Sequence, residues 1–159
     1  MAVGIASIVL AAVAQLIIFS GRSFSSMLNY VDLDHRSNST LEQMSKDIRQ
    51  ANNVASGTAV NLVLNDFDGT PLEYAYDTGA KTFTRTKGGV SKTMLRDCEF
   101  LQFSLYQRNP CPGGYDYYPA ATATNAKMVQ VSWVCVRKVL GTLRNSESVQ
   151  SAKFVIRKE

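Results

Sequence analysis

MAVGIASIVLAAVAQLIIFS, Met1–Ser20, carries no charge and no proline, and 16 of its 20 residues are apolar. A hydrocarbon core of ~30 Å takes roughly 20 apolar residues at 1.5 Å rise each, and the run meets that length. The next stretch of chain decides the fold. Gly21–Gly57 has no proline, and no glycine between its two ends. Phe24, Met27, Leu28, Val31 and Leu33, then Leu41, Met44, Ile48, Ala51 and Val54, recur at helical spacing. Glu42 and Lys46 stand four apart in the favourable order, acid first. The pattern predicts one helix from about Ala2 to about Asn53, ~75–80 Å long, with Gly57 close to its end. The polar Ser37-Asn38-Ser39, with Thr40 and Gln43 as a partial capping pattern, is the one place that invites a bend.

From Val60 the periodicity changes from helical to two. NLVLND, PLEYAYD, KTFTRTK, SKTMLRD, EFLQFSLYQR, KMVQVSWVCVRKV and AKFVIRK all read as strands. Asp68-Gly69, Thr78-Gly79 and Gly88-Gly89 supply the turns, and Leu72–Tyr76 with Thr82–Thr86 should form a hairpin across Asp77 to Lys81. Asn109–Ala126, with three prolines, two glycines and three tyrosines, reads as a long surface loop. The reading divides the chain into a hydrophobic segment at 1–21, an amphipathic second half of the helix at 22–56, and an antiparallel sheet head at 57–159. The fold class is α+β, with Leu41, Met44 and Ile48 as the helix face that packs on the sheet. Deleting Met1–Gly21 is then expected to leave a soluble domain.

The net charge of +4 lies wholly beyond Asn53, because Arg22, Arg36, Lys46 and Arg49 balance Asp32, Asp34, Glu42 and Asp47. Such a surplus spread over the head does not indicate a nucleic-acid site. No Lys or Arg precedes the apolar run, which also exceeds the ~7–15 residues of a signal peptide's core, so it reads as a retained anchor. The cysteines are Cys98, Cys111 and Cys135. Alternation puts Cys135 on the buried face with Val129, Val131 and Trp133, and Cys98 on the face away from Leu101, Phe103 and Leu105. That parity argues against a Cys98–Cys135 bond. Cys98–Cys111 is less constrained, and buried free cysteines are the default.

The order of these features resembles the type IV pilin and pseudopilin family. Ser7–Phe24, SIVLAAVAQLIIFSGRSF, is similar to the body of a pilin's first helix, and Met44–Ala51, MSKDIRQA, to its end. PLEYAYDTGAKTFTRTKGG, LRDCEFLQFSLYQRNP and AKFVIRK resemble the sheet of W-type minor pilins and J-type type II secretion pseudopilins. The resemblance implies a pilin-like fold and a single-pass anchor in the bacterial inner membrane, with a periplasmic or extracellular head. It further implies that the subunit joins or primes a type IV pilus or type II secretion pseudopilus, with other such subunits as partners. Family members carry a basic leader, a Gly-Phe processing site and a nearby glutamate. Here no acid precedes Asp32, and the chain reads as starting about ten residues inside the mature helix.

The physical logic is independent of the family. In lipid a helix satisfies its own backbone polar groups, and in a fibre the same surface is buried against other helices. Gly4, Ala6, Ser7, Ala11, Ala12 and Ala14 would allow close approach there, with Leu16 and Ile17 as apolar contacts. Nothing in the sequence indicates an enzyme, a cofactor or a small-molecule substrate. His35 is the sole histidine and reads as solvated, and no Gly-x-Ser-x-Gly elbow or phosphate loop occurs. Asp66 and Asp68 are weak calcium candidates in a segment that a hairpin turn explains as well. Tyr115, Tyr117 and Tyr118 offer either a partner surface or packing for their own loop. The alternative function is a membrane-tethered extracytoplasmic binding module that does not polymerise.

Overall fold

The computed structural model describes residues 2–107, 119–137 and 147–156, with side chains from residue 4 onward. Helix α1 spans Ala2–Gln50, 49 residues and about 74 Å at 1.5 Å per residue. It passes through Ser37–Ser39 without a break, because Ser37 and Thr40 face the protein interior. Thr40 donates its hydroxyl to the Arg36 carbonyl at 2.8 Å, so its side chain is satisfied within the helix. The helix stops at Gln50, short of Asn53 and of the boundary expected at 56. Ala51 N–H still closes the last turn on Asp47 O at 3.0 Å, but Asn52 N–H turns away to Asn65 O at 2.8 Å. From there the chain is strand, and Gly57 ends a strand rather than a helix.

Among the described residues the head contains eight strands: β1 Asn53–Gly57, β2 Asn61–Asn65, β3 Pro71–Asp77, β4 Thr82–Lys87, β5 Val90–Leu95, β6 Cys98–Tyr106, β7 Met128–Val136 and β8 Glu147–Val155. They form two antiparallel meanders, β1 to β5 and β6 to β8, in place of one sheet. Asp97, at φ 60°, redirects the chain between them, a conformation that aspartate tolerates better than most residues. Cys98 N–H then bonds Lys81 O at 3.1 Å and Phe103 N–H bonds Ala59 O at 2.8 Å, which ties the two sheets together.

The expected β3–β4 hairpin is present, with Leu72 opposite Lys87 and Asp77 opposite Thr82. Its turn works differently from the glycine reading. Asp77 Oδ1 accepts N–H bonds from Gly79 at 2.8 Å and Ala80 at 2.9 Å, and Lys81 takes the positive φ of 54°. Gly88 and Gly89, at φ 56° and 80°, make the β4–β5 turn that the sequence predicts.

The core lies where helix and both sheets meet. Phe83 stacks on Tyr74 at 5.6 Å and meets Phe103 at 6.0 Å and Trp133 at 6.3 Å, so one ring joins residues of the two sheets. Met44 and Ile48 are fully buried against this cluster, and Leu41 is partly buried beside it. Each such large apolar side chain is worth ~1.5–3 kcal/mol relative to exposure. α1 rests mainly on β8 and β5.

The parity argument for the cysteines fails at a bulge. Cys98 pairs with Cys135 and Phe100 with Val134, so Glu99 is an extra residue in β6. The inserted residue flips the face of everything before it. Cys98 is fully buried on the same side as Leu101 and Phe103, directly across from the buried Cys135, and both are thiols. Cys111 lies outside the described residues.

Candidate membrane and assembly surface

The first half of α1 stands clear of the head. Leu16 and Ile17 are 68% and 66% exposed, and Gly4, Ala6, Ser7, Ala11, Ala12 and Ala14 are exposed as well. By length and composition α1 is a helix able to cross a membrane. At about 100° per residue, Gly4, Ser7, Ala11 and Ala14 share one side of the helix, while Ala6 and Ala12 fall off it. Ser7 returns its hydroxyl to Gly4 O at 2.8 Å and Ser25 to Gly21 O at 2.9 Å, so these polar groups are satisfied within the helix, as lipid requires.

The exposed apolar surface does not end at Ser20. Phe24 is 64% exposed, Met27 66%, Leu28 54% and Val31 54%; Ser26, Asn29 and Asp32 are half-buried, and Leu33 is the first buried residue of the described helix. The helix from Gly4 to Val31, with its large apolar side chains exposed, is about 42 Å long, some 12 Å more than a hydrocarbon core. Phe24, Met27, Leu28 and Val31 follow the steps i, i+3, i+4 and i+7, which makes them a single stripe. Leu33, Ser37, Thr40, Met44, Ile48 and Ala51 make up the buried face. By helical rotation the stripe lies roughly 160° away from that face. The head covers one side of α1, and the stripe faces the other.

The joint between helix and head includes polar contacts that periodicity did not reveal. Trp133 Nε1–H donates to Ser37 Oγ at 3.2 Å, and Ser37 lies 3.3 Å from Ser148 Oγ. Asp47, buried one helical turn past Met44, accepts from Tyr74 Oη at 2.5 Å, from Arg85 Nε at 2.7 Å and from Gln43 Nε2 at 3.0 Å. Burial, then the bond to Asp47, pushes the Tyr74 hydroxyl's pKa up, and Asp47 raises that of Arg85. Nearer the free half, Arg137 bridges Asp32 at 2.9 Å and Asp97 at 3.0 Å. The Arg137 and Arg36 guanidiniums hold Asp32 below the usual carboxylate range. These links fix the angle at which the long helix leaves the head.

Other sequence candidates are accounted for locally. Asp66 is buried, paired with Lys87, and accepts from Phe67 N–H at 2.8 Å. Asp68 caps the turn through Thr70 N–H at 2.8 Å, which lowers its pKa. The two aspartates therefore serve the β2–β3 turn, and His35 is exposed on α1. Leu41 lines an open groove with Ala152 and Phe154 of β8. Tyr115, Tyr117 and Tyr118 lie outside the described residues. Comparison with protein-family models, curated proteins and solved structures finds no match to the chain.

Proposed function

We propose that this chain is a structural, pilin-like subunit held in the inner membrane by the start of α1 before it joins or primes a type IV pilus or type II secretion pseudopilus. The observation that supports this most is the reach of the exposed apolar helix. A simple tether needs only enough apolar length to cross lipid, ~30 Å. Beyond that length, and beyond Arg22, this helix presents Phe24, Met27, Leu28 and Val31 on the side facing away from its own head. A surface of that kind is left in water unless another protein covers it. Packing against the helices of neighbouring subunits covers it and the membrane segment together. No step of this role requires a catalytic group or cofactor.

Photo-crosslinking tests the reading. A benzophenone amino acid placed at Phe24, Met27 or Leu28 should yield adducts between this chain and other anchored subunits in cells carrying the assembly machinery. The same probe at Lys92, exposed on an edge strand, should yield far fewer. Absence of protein adducts from all three helix positions would leave the non-polymerising tether in its place.

A further inference from the structure

We propose that Cys98 and Cys135 close a cross-strand disulfide when the head meets an oxidising thiol–disulfide partner. The inference depends on the extracytoplasmic placement proposed above only for where that partner is met. The two residues are directly opposed across β6 and β7, on the same buried face, as a result of the bulge at Glu99. Cys98 N–H is committed to Lys81 O in the other sheet. The pair therefore lacks the double backbone bond that spaces hydrogen-bonded partners, and opposed residues of this second kind lie about 4.5 Å apart at Cα. Disulfides take Cα separations of about 4.4–6.8 Å. The Cys135 thiol lies near enough to push the Cys98 thiol's pKa up, as expected of two side chains opposed on one buried face.

The chemistry balances with a disulfide-bearing oxidoreductase, or oxidised glutathione, as electron acceptor. The Cys98 thiolate attacks one sulfur of the oxidant, whose S–S bond breaks to release a thiolate. The Cys135 thiolate then attacks Cys98 Sγ, forms the Cys98–Cys135 bond and expels the second thiol. Two electrons and two protons pass to the oxidant. Contact with Cys135 and burial push the Cys98 thiol's pKa up, which disfavours the attacking thiolate in the finished fold. Oxidation should thus be fast while the head folds and slow afterwards. The bond would sit beside Asp97 and below the Tyr76 hydroxyl, which donates to Cys98 O at 2.8 Å, and so would staple the crossing point of the two sheets.

Trypsin puts the three cysteines on separate peptides, 97–108, 109–127 and 128–137. Full-length chain, unfolded under reduction and refolded in detergent with reduced and oxidised glutathione, is alkylated and digested. The expected product links peptides 97–108 and 128–137, persists in Cys111→Ser, and raises the melting temperature by ~10 °C over the reduced chain. Chain that is folded before oxidant is added should link many times more slowly. Free thiols at both positions after oxidative refolding, or a bond from either to Cys111, would overturn the inference. The same digest of membranes from intact cells separates the two ideas. Linkage in vitro with free thiols in cells would count against an oxidising location for the head and leave the pairing standing.

Discussion

Asp47 shows how one side chain can belong to the helix and the head at once. Its carboxylate is almost wholly enclosed and is matched by Arg85, 38 residues away, and by Tyr74. Removing one member of such a pair leaves an unpaired buried charge, which costs ~3–5 kcal/mol. Asp47→Ala should therefore lower the head's stability by that amount in chemical denaturation. Asp47→Leu combined with Arg85→Met should recover much of the loss, because no charge is then stranded. The Arg137 bridge is weaker and titrates. Asp32 has a folded pKa below its unfolded value near 4, so its contribution is present above that pH and fades as pH falls through the folded value. Both partners are partly exposed, which limits the effect to ~1 kcal/mol. The melting temperature of Arg137→Ala should trail that of the native chain at pH 7, with the gap closing below pH 4. A gap independent of pH would mean that Arg137 acts by packing instead. Sequence made Met44 and Ile48 legible as buried because apolar spacing is a local signal. Asp47 and Ser37 were not legible, since their partners are set by strands far along the chain.

Among the elements, α1 was the easiest to read, and its division the hardest. A long stretch without proline or internal glycine, with apolar residues at helical steps, leaves the backbone few alternatives. Where solvent-facing helix gives way to covered helix depends on where β5 and β8 reach it, which no local pattern records. Along α1 the apolar residues up to Val31 are exposed, and Leu33 is the first that is buried. Truncation is the direct check. A chain starting at Asp32 should be monomeric without detergent in sedimentation velocity. One starting at Arg22 retains the Phe24, Met27, Leu28 and Val31 stripe and should self-associate or bind detergent, since each such side chain gains ~1.5–3 kcal/mol when fully covered. Equal, monomeric behaviour of the two would show that the stripe has no drive to associate. The Glu99 bulge illustrates the same limit among strands. Alternation is reliable only while the register holds, and a single inserted residue brought Cys98 to the face that parity had denied it.

At the scale of the whole molecule, the α+β class and the order of helix before strands were legible, and the split into two sheets was not. That split turns on the backbone at Asp97 and on bonds from Cys98 and Phe103 to residues of the earlier sheet. The overall form, a long helix with a head on one side of its second half, has a definite consequence for orientation. Arg22 is the basic residue nearest the apolar segment, so the charge rule gives it no direction. The proposed assembly role does give one, with the N-terminus towards the cytoplasm and the head outside. Under that arrangement protease added to intact spheroplasts should cut between Asn109 and Ala126, in the Pro/Gly/Tyr-rich segment, and leave Met1–Ser20 protected by lipid. Cys98 and Cys135, buried in the head and paired by the proposed disulfide, should resist alkylation in the same cells until the head is both unfolded and reduced. Cleavage that occurs only after the spheroplasts are lysed would put the head in the cytoplasm. Pilus and pseudopilus assembly from the outer face would then be impossible for this chain, whatever its helix packs against.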